Sequence, residues 1–220
     1  MTSQQLSGVV RGTAPLNYGD GAGDAQFAVN NRGDMSVAYG LPSEAEATRL
    51  GNTWHVAIAT ANAFTHVAAW PTTRAELVLH NGEPSNGKSY VVNSVWAANV
   101  ATSIVVLSAY TILAQLVASG TAPTDDTAQL ITSASGRGTY GGRAKRALAS
   151  TAFAVANRWQ VLGNMTSAVA SIGHSVIAQV NGALIIPPGG VLCLNLVTGT
   201  AVGTASIGLT WTETQLTLGG

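Results

Sequence analysis

Residues 82–89 read GEPSNGKS, which places Gly82, Gly87, Lys88 and Ser89 at the fixed positions of G-x-x-x-x-G-K-[ST]. That spacing serves loops whose backbone amides and lysine cradle the phosphates of a nucleotide. The chemistry needs a setting: a buried strand delivers the loop and a helix begins at the lysine, so that unpaired N–H groups converge on the anion. Residues 76–80 suit the strand. Residues 89–96, SYVVNSVW, are β-branched and aromatic with no apolar recurrence at i, i+3 and i+4, so they predict a second strand instead of a helix. No apolar strand ends in an acid that would hold magnesium; Glu76 and Glu213 stand near strand-like runs without ending one. The expected structure is a hairpin over residues 81–88, with Asn81-Gly82 and Asn86-Gly87 supplying positive φ and Lys88 falling into the pattern by coincidence.

Other reactive residue types are equally dispersed. Neither G-x-S-x-G nor S-x-x-K occurs. His55, His66, His80 and His174 lack the i, i+2 or i, i+4 spacing that brings two imidazoles to one metal. The acids needed for a two-carboxylate glycosidase fall mainly in the N-terminal segment and in loops. Cys193 is the single cysteine, which excludes an internal disulfide and a cysteine metal cluster, and in VLCLNL it reads as a small buried hydrophobe. Gly19–Asp24, GDGAGD, is one copy of a calcium-type repeat that needs stacking to complete an oxygen shell, and Arg32-Gly33-Asp34 reads as a turn. The expectation is no catalytic, cofactor or metal residue, and no enzyme.

One stretch concentrates charge. Arg137, Arg143, Lys145 and Arg146, with Tyr140 among them, are threaded through glycines, and this spacing predicts a flexible cationic loop suited to a protein contact. Five tryptophans, Trp54, Trp70, Trp96, Trp159 and Trp211, point to core packing, with one or two left at a rim as contact anchors or sugar platforms.

These residues sit in a chain of 220 residues with ten basic and ten acidic side chains, or 9% charged, against about 25% in ordinary soluble domains. Twenty charges spread over a monomer surface of roughly 9,400 Å² give about one per 470 Å². A surface so poor in charge is either clothed in Ser, Thr, Asn and Gly or covered by neighbouring subunits. With a net charge of zero, nucleic acid is not an expected partner. No charge occurs between Lys88 and Asp125, but Asn99, Thr102, Ser103, Ser108, Thr111 and Gln115 break that run, so two buried strands are expected and no membrane span. MTSQQLSGVVRG has no apolar core of the kind a secretion signal carries.

The elements that must position these residues follow from periodicity. Residues 13–40 are dense in Gly, Asn and Asp and lack the runs needed for a core, so residues 1–50 are expected to be an extended arm. That arm ends in a short helix near 44–50, with Ser43 and Glu46 as a capping box and Gly51 as its stop. Beyond it, strands are expected over 54–60, 66–70, 75–80, 89–98, 104–117, 128–133, 148–155, 159–162, 174–180, 192–196 and 205–211. Ala205, Ile207, Leu209 and Trp211 alternate with polar residues, and Pro187-Pro188-Gly189-Gly190 marks a turn. Strands in this number, without intervening helices, predict an all-β, jelly-roll-like β-sandwich over residues 51–220.

The succession NGEPSNGKSYVVNSVWAANVATS, GRGTYGGRAKR and VNGALIIPPGGVLCLNLVTGTAVGTASIGLTWTE resembles small β-sandwich virion proteins of tailed bacteriophages, which carry a similar I-P-P-G turn and a closing W-x-E strand. The likeness runs over about residues 75–213. In that group, trimeric jelly-roll decoration or cement proteins brace the outer capsid. The resemblance implies a homotrimer made in the host cytoplasm and placed on the virion, with the major capsid protein lattice as partner. The alternative role is a receptor- or glycan-binding head of a tail or fibre.

Overall fold

The computed structural model describes residues 43–59, 63–65, 68–72, 74–100, 108–118, 121–136, 138–150, 153, 158–167, 175–198 and 204–216. Residues 1–42, with their GDGAGD and Arg-Gly-Asp segments and the expected arm, and His66, His174 and Arg137 lie outside the described residues.

Helix α1 spans Ser43–Arg49. It ends in a Schellman motif: Asn52 N–H donates to the Ala47 carbonyl at 2.9 Å and Gly51 N–H to the Thr48 carbonyl at 3.0 Å. Gly51 takes φ of 79°, a left-handed conformation that a Cβ would disfavour. The Glu46 carboxylate receives Arg49 Nε at 2.7 Å one turn on.

Eleven strands follow among the described residues: β1 (Thr53–Ala57), β2 (Phe64–Thr65), β3 (Ala75–Asn81), β4 (Ser89–Asn99), β5 (Ser108–Ala118), β6 (Ile131–Ser133), β7 (Ala144–Ser150), β8 (Gln160–Ser167), β9 (Ser175–Ile186), β10 (Gly190–Thr198) and β11 (Thr204–Thr214). They form two antiparallel sheets with the orders β6-β1-β11-β4-β9 and β7-β3-β10-β5-β8, and β2 adds to the end of β11. The inner four strands of each, β1-β11-β4-β9 and β3-β10-β5-β8, give the jelly-roll order. The chain changes sheet at most connections, and the last two strands return beside the earliest ones. β6 and β7 widen one edge of the sandwich.

The core lies between the sheets. Val56, Val92, Val95, Ile207, Leu209 and Trp211 of the first sheet meet Leu77, Leu79, Ile112, Leu192, Leu194 and Leu196 of the second, all essentially solvent-free. At about 1.5–3 kcal/mol for each large apolar side chain removed from water, this layer is the main driving force for the body.

The second sheet is apolar on both faces, which sequence alternation alone does not predict. Val78, Val191 and Cys193 point away from the sandwich core and are fully buried with Leu113 and Trp159 in a second cluster. Topology supplies a reason. β7 and β8 occupy opposite edges of this sheet, about 19 Å apart at the usual strand spacing. Phe153 and Trp159 of the connection between them pack on the second cluster, and Trp159 Nε1–H donates to the Pro71 carbonyl at 2.9 Å. Burial pushes the Cys193 thiol up to about 12, in keeping with its reading as an inert hydrophobe.

Several expectations need correction. β3 and β4 lie in different sheets, so residues 82–88 form a crossover corner and not a hairpin. Gly82 and Gly87 are not positive-φ residues; they permit close approach instead. A Cβ on Gly82 would meet the Arg143 carbonyl oxygen, and one on Gly87 would stand 2.7 Å from the Glu83 Cβ. The strand expected over 148–155 is β7, four residues earlier at its start, because its register is fixed by pairing with β3. Residues 128–130 lie before β6, after a turn closed by Gln129 N–H on the Asp126 carbonyl at 3.1 Å, and residues 68–70 are not strand.

Candidate interaction surface

At the corner after β3, Asn81 is fully buried and organises the turn. Its Nδ2 donates to the carbonyls of Lys88 at 2.9 Å and Ile186 at 3.0 Å, while its Oδ1 accepts the Glu83 N–H at 3.0 Å. Strand β4 begins where a phosphate-binding helix would have to begin. Lys88 Nζ lies 3.7 Å from the Glu213 carboxylate of β11, so its charge faces the body. Without convergent helix amides the corner offers no phosphate cradle. Titration of the chain with Mg-ATP is expected to give no binding heat, and Lys88→Ala is expected to change nothing in that measurement.

The basic stretch divides into parts with different work. Tyr140 is a structural keystone: its ring meets Trp54 edge-on at 4.9 Å between centroids and Trp211 at 6.3 Å. Its hydroxyl donates to Glu213 Oε1 at 2.7 Å and accepts the Ala144 N–H at 2.9 Å. Burial above all, with Tyr90 and Glu213 beside it, holds this phenol far above its ordinary range, so it stays a donor. Lys145 and Arg146 belong to β7 and not to a loop. Arg146 is buried, and its guanidinium grips Asp125 at 2.7 and 2.9 Å. Of the described members, Arg143 alone is exposed, in the short segment between Tyr140 and β7.

Several other titratable groups are also engaged internally. Arg74 clasps Glu76 with Nε at 2.9 Å and Nη2 at 3.1 Å. Glu76 and Asp126 line one recess of about 320 Å³ with Phe64 and Leu148, a convergence of two acids that chain order hid. Glu76 is held by Arg74, however, and Asp126 accepts from the Ala128 N–H and Gln129 Nε2 in a turn. His55 bonds Thr132 Oγ1 across the β1–β6 pair. Among the described residues no three His, Cys, Asp or Glu gather where they could hold a metal, and no helix is long and apolar enough to cross a membrane.

His80 carries a pH dependence. It is buried opposite Lys145, and burial first, then that ammonium, hold its imidazole below the ordinary value. As pH falls through about 6.5 the unfolded chain therefore takes up a proton that the folded chain resists. The stabilisation is present above that pH and is lost below it. Urea midpoints measured from pH 7 to 5 are expected to fall more for the wild type than for His80→Gln.

What the fold leaves outward on the first sheet is a surface without formal charge. Side chains alternating with the core set on β1, β4, β9 and β11 include Ala57, Thr210, Ser94, Ala98, Gln179 and Ile177, and Glu213, the one acid on these strands, points inward. Trp96 lies across Gly208, whose missing Cβ would otherwise stand 2.7 Å from the indole. The five tryptophans divide accordingly: Trp159 and Trp211 are buried, Trp54 and Trp96 are half-buried, and Trp70 is 54% exposed.

No protein-family model matches the chain, and no curated protein is significantly similar to it.

Proposed function

We propose that this protein is a structural subunit of a virion, a homo-oligomeric jelly-roll decoration or cement protein that sits on the capsid of a tailed phage and reinforces it by adhesion. The observation that carries the reading is the outer face of the β6-β1-β11-β4-β9 sheet, which bears no Lys, Arg, Asp or Glu among the described residues. A free-standing domain keeps itself soluble and unassociated with charge on such faces. Here the polar layer is Thr, Ser, Asn and Gln, which can be covered by a neighbour without stranding a charge in low dielectric. The internal engagement of Arg74, Arg146, Glu76 and Glu213 points the same way: much of the chain's small stock of charge serves the fold. The resemblance of residues 75–213 to phage virion proteins supplies the kind of assembly.

The direct test is sedimentation of the purified chain with capsids that lack it, followed by heating of the decorated and bare shells. Co-sedimentation and a higher shell rupture temperature are expected. Binding that leaves shell rupture unchanged, or capture of the chain by specific sugars on a glycan array, would transfer the protein to the receptor-binding class, with exposed Trp70 as its stacking platform.

A further inference from the structure

Sandwich edges expose unpaired backbone N–H and C=O groups, and proteins that remain single copies blunt them with charge, proline, short strands or covering segments. The two edges of this sandwich are treated in opposite ways. At the β6/β7 edge, Asp125 accepts the Arg146 N–H at 2.8 Å, and Asp126 N–H donates to the Arg146 carbonyl at 2.8 Å, so the segment before β6 closes the β7 ladder. Lys145 and Arg146 place charge there, β6 is three residues long, and Thr139 bridges Thr132 across its outer side. The exposed Leu130 at this edge stands among those charges and turns.

At the β8/β9 edge none of this occurs among the described residues. The ladders end at β8 and β9, which contain no Lys, Arg, Asp, Glu or Pro. β9 is 12 residues long and its outward side chains are exposed. Val161 on β8 is 51% exposed and Ile177 on β9 is 61% exposed, large apolar side chains that flank this edge on the two outer faces of the sandwich. Gly163 lets the two sheets approach there, its absent Cβ facing the Ala178 methyl at 3.2 Å, so β8 and β9 form one narrow, nearly continuous rim. A bulge at Asn181 and Gly182, both at positive φ, bends β9 midway and leaves residues 175–180 as a regular segment.

We infer that the β8/β9 edge is the self-association surface, where a second copy of this chain seats its own β8/β9 edge. The inference rests on the homo-oligomeric reading above and names the surface that performs it. A second copy is the occupant favoured by electrostatics, because two edge strands without charge of either sign, with exposed Arg158 standing just before β8, are complementary to themselves and offer little to an acidic or basic partner. The dimensions agree. A rim about 40 Å long and about 20 Å thick presents about 800 Å² per copy, the usual size of a stable interface. Because the rim has two unlike strands, β9 of one copy can face β8 of the next.

The test compares the full chain with Val161→Lys/Ile177→Lys and with Thr132→Lys at the sealed edge, by sedimentation over a concentration series. The wild type and Thr132→Lys are expected to run as the same oligomer, and the double lysine variant is expected to lose affinity by at least about 100-fold and run as a folded monomer. A double variant that keeps the wild-type oligomer overturns the edge assignment while leaving the assembly reading intact. A wild type that stays monomeric yet still decorates capsids overturns self-pairing and gives the edge to the shell. Should the lysines prevent folding, hydrogen exchange of the wild type decides: outward amides of β9 are expected to lose protection on dilution, and unchanged exchange overturns the assignment.

Discussion

Asp125→Ala is expected to cost about 3 kcal/mol, the low end of the 3–5 kcal/mol typical for breaking a buried ion pair from one side. Arg146 is only 10% exposed in its side chain and Asp125 28%, so the guanidinium left behind has little access to water while the removed carboxylate had some. The carboxylate also accepts the Arg146 N–H at 2.8 Å, so the variant opens the edge of β7 as well as unpairing a charge. If the unpaired charge is the larger part, Arg146→Met in the Asp125→Ala background should recover much of the loss, and urea unfolding of the four species measures the coupling. A pH arm adds a sign. Burial raises the Asp125 carboxyl, but its hydrogen bonds from Arg146 and that residue's charge outweigh burial and hold it below the ordinary value. The stabilisation is therefore full above about pH 4 and drains as pH falls through the lower folded-state value, so Asp125→Asn should flatten the acid limb of the stability curve.

That pair also marks where sequence reasoning stopped. Arg146 and Asp125 are 21 residues apart and lie on different elements, so a cluster of basic letters among glycines looked like one loop. Local signals carried the outline well. The alternation of Ala205, Ile207, Leu209 and Trp211, the turn at Pro187–Gly190, and the stop at Gly51 all describe interactions within a few residues, and all three hold in the fold. Non-local facts were not legible. Which strands share a sheet is set by closure of the whole sandwich, so the corner at residues 82–88 read as a hairpin. The burial of both faces of β10 depends on a connection between two other strands. The surface proposed for interaction was visible only as a deficit of charge. Its position needed the register, which shows Val161 and Ile177 on one edge and the charges of β7 on the other.

The largest effect at a single uncharged residue is expected at Asn81. Asn81→Ala removes three hydrogen bonds at a position with no solvent exposure, and leaves the Ile186 carbonyl in a buried setting without its amide donor. At about 1–3 kcal/mol for each buried group left unsatisfied, and less for the Lys88 carbonyl and Glu83 N–H near the surface, a loss of about 3–4 kcal/mol follows. The position joins the end of β3, the corner before β4, the end of β9 and the turn into β10, where Gly189 N–H donates to the Asn81 carbonyl at 2.8 Å. One side chain thus ties crossovers of both sheets. The isosteric variant separates hydrogen bonding from packing. Asn81→Asp keeps the acceptor for Glu83 but turns a carboxylate oxygen toward two carbonyls, so at neutral pH it should be at least as destabilised as Asn81→Ala. Lowering the pH protonates that oxygen and makes it a donor again, and the Asp variant alone should then regain stability in thermal melts. If Asn81→Asp instead matched the wild type at pH 7, the two Nδ2 contacts would carry none of the corner's stability.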